Sequence, residues 1–297
     1  MKNSYSTLIL SLIILILSSC GPTISGKDEQ SFKTSRAKME EKLDKAEKVN
    51  LEKALRVIAL KAMKEKWNFP EKYESKSFDE ISMEMIDGKS YSAIISYAED
   101  FLTTDKKEKI AQKTTEIDSL EKSKADVANI IKQLDAFKLT KISISEDEGF
   151  DETQPYLDLV FTNKSGEYLI GEYMFHIEIF SKKTGEKIAA QGQGGAFSDD
   201  YAIKPNETYE HHQPLLSEAR AHSNLWQTAK YPITDFSPYD LVIKAYATKI
   251  TTKKGGTIER PKTDIAYFDN KIKTLKNEIK ELEKSKGTLD ELELTDK

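Results

Sequence analysis

The sequence predicts an α+β multidomain chain made of a helical module, an antiparallel two-helix coiled-coil stalk and an antiparallel β-sandwich. Three observations carry that prediction. Apolar residues recur at helical spacing through residues 31–104, the pattern of helices with one buried face. Two separate runs, residues 107–137 and 262–292, change to a seven-residue repeat. Between them, residues 139–258 alternate apolar and polar, as half-buried strands do. The first thirty residues fit none of these patterns and divide into a leader, residues 1–19, and a tether, residues 20–30.

The leader explains itself by length. Lys2 precedes an apolar run from Leu8 to Leu17 that only Ser11 interrupts. A membrane span needs about 20 apolar residues, so the run is too short to cross and has the size of a secretory leader's apolar region. Small residues follow it in Leu17-Ser18-Ser19-Cys20, and Cys20 is the only cysteine, which excludes an internal disulfide. These four residues resemble the lipobox of bacterial lipoproteins. That resemblance implies a thioether-linked lipid on Cys20, removal of residues 1–19 and a membrane-anchored place in the cell envelope. Gly21, where an aspartate would signal inner-membrane retention, implies the outer membrane. Gly21 to Gln30 holds two glycines and one proline and reads as a short flexible tether.

In the helical module, Phe32, Ser35, Met39 and Leu43 share one face of a first helix. A second, from about Lys45 to Lys66, has the stripe Val49, Leu55, Ile58, Ala59, Ala62 and Met63, and Pro70 ends it by disfavouring helical backbone at the residue before. Trp67 and Phe69 at that end read as a core plug. Ser77 to Ile86 is a third helix and Tyr91 to Phe101 a fourth. Gly88-Lys89-Ser90 between them invites a phosphate-binding reading, but a P-loop needs a further glycine where Met83 stands. The mechanical reading is stronger: Gly88 ends one helix in a left-handed conformation and Ser90 caps the next. Phe32, Ser35, Met39, Leu43, Ala54, Ile58, Gly88, Lys89, Ser90, Ile94 and Ala98 together resemble a group of small bacterial lipoproteins of unknown function. The resemblance implies a compact helical module beside the anchor and no assigned activity.

The heptad runs come next. Ile110, Ile117 and Ile131 occupy one core position and Leu120, Val127 and Leu134 the other, with Lys113 and Lys124 as breaks. The later run repeats the pattern in Ile265, Phe268, Ile272, Leu275, Ile279 and Leu282. Each stripe alone would be wet, whereas burial is worth about 1.5–3 kcal/mol per side chain. The runs flank one domain, which favours antiparallel pairing within the chain. The alternative is a homodimer through the coiled coil.

The domain between them has strands at Lys141–Ser145, Tyr156–Thr162, Tyr173–Phe180, Lys187–Phe197, Glu207–Leu216 and Tyr239–Thr251, with a helical stretch at Ser217–Lys230. Gly, Asn and Pro turns at near-regular intervals predict an antiparallel sandwich. Asn163, Tyr173 to Phe180, Thr184-Gly185, Lys204-Pro205-Asn206 and Tyr239 to Tyr246 resemble a small immunoglobulin-like sandwich of bacterial envelope lipoproteins. The resemblance implies an adhesive or scaffolding module.

No catalytic constellation appears. Lys and Arg number 45 against 50 Asp and Glu, interleaved, for a net charge of −5, which excludes the clustered basic footprint of a nucleic-acid binder. Of His176, His211, His212 and His222, the adjacent pair points to opposite faces of a strand, and no second cysteine helps to build a zinc site. Acid pairs such as Asp199-Asp200 and Glu148-Asp151 lie in loops and nominate no acid–base pair. The expectation is a non-enzymatic envelope lipoprotein, without cofactor or metal, that contacts the membrane through Cys20 and a protein or glycan partner. The alternative is a periplasmic or surface ligand-binding lipoprotein with a pocket near Trp226.

Overall fold

The computed structural model describes residues 21–148 and 153–294. The chain divides into two compact units, Met1–Asp118 with Lys273–Lys297, and Ser119–Ile272. Among the described residues, no helix is long and apolar enough to cross a membrane.

The first unit is helical. Helix α1 spans Glu29–Glu40, α2 Lys45–Asn68 and α3 Phe78–Ile86. Their starts are set locally. Asp28 accepts the Ser31 N–H, while Asp44 with Glu47 and Ser77 with Glu80 form reciprocal capping boxes that satisfy the free N–H groups of the first turn. Leu51, Ala54, Ile58 and Ala62 form the buried face of α2. Trp67 and Phe69, expected as a core plug, are 68% and 54% exposed. Trp67 follows Ala62 by five residues, which turns it about 140° away from the buried face. The expected stripe is also rotated, since Val49 is exposed.

Helix α4 runs unbroken over Tyr91–Leu134, where two helices, one ending at Phe101 and the other starting at residue 107, were expected. No Gly or Pro interrupts it, and Lys64 holds Asp105 and Glu108 across the expected gap, both at 2.6 Å. Helix α6 covers Ile265–Lys284, after the short α5, Ser217–Ala221. The heptad run thus stops short of residue 292. A 3₁₀ turn at Leu289–Glu291 follows, and Leu289 is buried in the core with Ile24, Met39, Ile58 and Ile94. Both α4 and α6 contribute to each unit. In the first unit Lys106 donates to the Ser285 carbonyl at 2.6 Å and Lys113 pairs with Glu278 at 2.5 Å. In the second, Lys124 pairs with Asp269 at 2.5 Å and Arg260 with Asp135 at 3.5 Å. Numbering rises on one side as it falls on the other, so these contacts run antiparallel within each unit. The two lysines that break the heptads are matched by acids of the opposite helix.

The second unit holds strands β1 Phe137–Glu148, β2 Thr153–Asn163, β3 Gly171–Ser181, β4 Lys187–Phe197, β5 Thr208–Pro214, β6 Leu241–Thr252 and β7 Gly256–Glu259. They form two antiparallel sheets, β1-β2-β5 and β4-β3-β6-β7. The alternation locates the core: Leu157, Leu159 and Phe161 of one sheet and Phe175, Ile177 and Ile179 of the other are fully buried in one cluster. Phe161 meets Phe175 at 4.8 Å between ring centroids, and Phe137 stacks on Phe161 at 4.9 Å. Asn163 is completely buried. Its Nδ2 donates to the Glu167 and Ile203 carbonyls and its Oδ1 accepts from the Ser165 N–H and Oγ, so all four bonding positions of the amide are used. β1 is longer than expected. The expected Ser217–Lys230 helix is instead α5 and a 3₁₀ turn at Leu225–Thr228, and β7 was not foreseen.

Candidate functional site

Cys20, the expected lipidation site, lies outside the described residues. The segment directly behind it does not behave as a flexible tether. Thr23 forms an antiparallel bridge with Ser90. The Ile24 N–H donates to the Lys89 carbonyl at 2.9 Å, and the Ile24 carbonyl accepts from the Gly88 N–H at 2.8 Å. The Ile24 side chain is 1% exposed. The Ser25 N–H donates to Ser35 Oγ at 2.8 Å and the Gly26 N–H to Asp87 Oδ1 at 2.7 Å. A Cβ on Gly26 would stand 2.0 Å from the Met83 carbonyl oxygen, so only glycine permits this approach. The expectation of a tether over residues 20–30 is corrected here. Ser25 and Gly26 are used for tertiary contacts rather than for freedom.

The clamp explains residues singled out in the sequence. Ser35 receives the segment from α1, and Gly88, at φ +73°, turns the chain so that its own N–H and the Lys89 carbonyl face Ile24. Lys89 sends its ammonium over the Tyr97 ring, 4.9 Å from the centroid, and Ser90 Oγ accepts the Ala93 N–H at 3.4 Å at the start of α4. The glycine–lysine–serine sequence is therefore a turn, a cation–π contact and a cap. Beside the clamp opens a cleft of about 1130 Å³, whose walls include Gly26, Phe32, Leu55, Lys76, Met83 and Asp87.

The histidines are dispersed. His212 is exposed on β5, with Nδ1 2.6 Å from Asp158, Nε2 3.0 Å from Asp147 and the ring stacked on Tyr156 at 4.5 Å. Hydrogen bonding to Asp158, then to Asp147, raises its pKa, whereas the Glu148 N–H and then His212 lower that of Asp147. The carboxylates lie at opposite ring nitrogens and do not converge. His211 faces inward, with Nε2 3.0 Å from Gln213 Oε1, and His176 lies near Tyr246. His222 Nε2 is 3.0 Å from Asp240 Oδ2. Among the described residues, no group of three or more His, Cys, Asp or Glu side chains is arranged to hold a metal ion. Asp199 and Asp200 form part of an exposed 3₁₀ turn, and Asp151 lies outside the described residues.

Trp226, the expected wall of a pocket, belongs to the core instead. It is 8% exposed, stacks on Tyr239 at 4.3 Å and donates Nε1–H to the Arg220 carbonyl at 2.9 Å. Two features escaped the sequence reading. One is the hydroxyl pair of Tyr173 and Tyr209 at 2.6 Å, with the Tyr209 pKa raised first by burial. The other is Asp240, at φ +58°, whose carboxylate accepts from Ser181 Oγ at 2.9 Å and the Lys183 N–H at 2.8 Å. Only the Tyr and Asp residue types were visible in advance; their partners are 36 to 59 residues away.

No curated protein and no solved structure matches the chain. Residues 6–103 match a family described as a family of unknown function (DUF6694), so the helical module that clamps the segment behind Cys20 is similar to that family.

Proposed function

We propose that the protein is a lipid-anchored, non-enzymatic scaffold of the bacterial cell envelope. Cys20 is its lipidation site, the outer membrane its location, and a β-sandwich its contact with a protein or glycan partner. The observation that carries this reading is the clamp. Thr23 to Gly26 is fastened to the module within a few residues of Cys20, so an anchor there fixes the module against the membrane instead of letting it drift. The lipobox supports it, as does the family match, which begins at residue 6 and so takes in the apolar run and Cys20. The finer fold reading belongs to this proposal. The strand orders β1-β2-β5 and β4-β3-β6-β7 support an immunoglobulin-like sandwich. The antiparallel ion pairs of Lys113 and Lys124 support the two heptad runs as an intramolecular coiled-coil stalk. A ligand-binding lipoprotein is the second reading, and the cleft beside Gly26 favours it more than Trp226 does.

The test is labelling of the full chain with a palmitate analogue in a bacterial host. The chain should take up the label and sediment with membranes. Cys20→Ala should abolish labelling and move the protein to the soluble fraction. Label retained by Cys20→Ala would refute the anchor.

A further inference from the structure

Four strands form the edges of the two sheets: β1 and β5 in one, β4 and β7 in the other. An edge strand leaves alternate N–H and C=O groups without a ladder partner, and proteins guard such edges with charge, proline, brevity or cover. β1 carries Lys138, Lys141, Glu146 and Asp147, and its Ile144 is bridged to Ile233. β5 carries Glu210 and His212 and ends on Pro214. β7 is 4 residues long. β4 has no charge, proline or brevity to guard it between Ala189 and Phe197, where it reads Ala-Ala-Gln-Gly-Gln-Gly-Gly-Ala-Phe, and the short α5 packs against it without hydrogen-bonding its backbone. Its irregularity, at Ile188, comes before this stretch. Ala190, Gly192, Gly194, Gly195 and Ala196 are exposed. Among the described residues, no turn, loop or helix hydrogen-bonds its backbone from Ile188 to Phe197.

We propose that β4 is a self-pairing interface. The β4 strand of a second copy lies antiparallel beside it, in a register centred on Gln193, and joins the two 4-stranded sheets into one. The sequence around Gln193 is nearly symmetric. Antiparallel self-pairing sets Gly192 against Gly194, Ala190 against Ala196 and Gln193 against itself, with no bulky pair exposed across the seam. Charge favours the same register. Lys187 lies at the start of β4 and Asp199 in the 3₁₀ turn just after its end, so in this register each Lys187 comes to the end of the seam where the second copy carries Asp199. Lys187 is held at this edge by Glu178 at 2.5 Å. The monomer itself requires two of the glycines: a Cβ would stand 2.8 Å from the Tyr173 carbonyl oxygen at Gly194 and 2.9 Å from the Tyr173 hydroxyl at Gly195. Gly192 has only His176 Nδ1, at 3.9 Å. Its lack of a side chain is not needed within the chain but leaves room at the seam.

The test uses the full chain carrying Cys20→Ala, so that an introduced cysteine is the only thiol. Q193C places two sulfurs across the twofold at disulfide reach and should yield a dimer on a non-reducing gel. A190C alone, with its two copies about 20 Å apart along the strands, should not. A mixture of A190C and A196C should crosslink. In sedimentation, A190K/A196K sets lysine against lysine and should weaken the dimer at least tenfold, and A190E/A196K should restore it. Both pairs change the same exposed positions, so misfolding would affect them alike, and equal melting curves check this. A monomeric parent chain, equal crosslinking by Q193C and A190C, or a dimer indifferent to both charge pairs overturns the proposal.

Discussion

At the scale of residues, the two-sheet unit is fastened by a few polar groups whose partners are remote in sequence. Asp240 is the clearest. Its carboxylate gathers His222, Ser181 and the Lys183 N–H; the bond to His222 first, then those to Ser181 and Lys183, hold its pKa down to about 2 against an ordinary 3.8. A pKa lowered by folding means that the ionised carboxylate stabilises the folded chain. That contribution is complete above pH 3.8 and disappears as pH falls to about 2. Asp240→Asn should therefore melt at a lower temperature than the parent at pH 6, with the gap closing as the pH approaches 2. A gap that is constant with pH, measured by circular dichroism melts, would show that the charge contributes nothing. Asn163 works by the same logic without a charge. Neither role was legible from its neighbours in the sequence, because a buried amide or carboxylate is defined by groups that only the fold brings near.

At the scale of elements, legibility followed the range of the interaction. The strands were readable because alternation is local: Leu157, Leu159 and Phe161 declare a buried face without reference to anything else. The Gly88 turn and the Ser90 cap were readable for the same reason. The clamped segment was not, because glycine, serine and proline have the same composition in a loose tether as in a segment ordered by Ser35 and Asp87, which are 10 and 61 residues from their partners. Trp67 and Phe69 depart in the opposite direction: aromatic character suggests burial, but both stand exposed at the end of α2. Gly26→Ala tests the clamp. The added methyl would collide with the Met83 carbonyl oxygen and should cost about 1–3 kcal/mol, read as a lower urea midpoint and new protease cleavage before Asp28. An unchanged midpoint with no new cleavage would mean that the segment is not held.

At the scale of the whole molecule, the helices α4 and α6 are shared by both units, so damage to one should be felt in both. Ile272 and Leu275 are 7% and 5% exposed, each within its own unit. Ile272→Asp together with Leu275→Asp would bury two carboxylates without partners, a penalty of several kcal/mol even after partial exposure. The double variant should lose melting temperature and protease resistance together, and an unaltered melt would contradict the helix pairing. Leu289 carries a different consequence. The core begun by Ile24 and Met39 is finished by a residue made more than two hundred positions later, and its backbone is fastened by Lys53 and Glu99. A chain synthesised from its amino end must therefore wait, with its first unit unsealed, until Leu289 arrives. Any molecule cut short before Leu289 keeps that gap open, giving proteases a way to recognise unfinished copies.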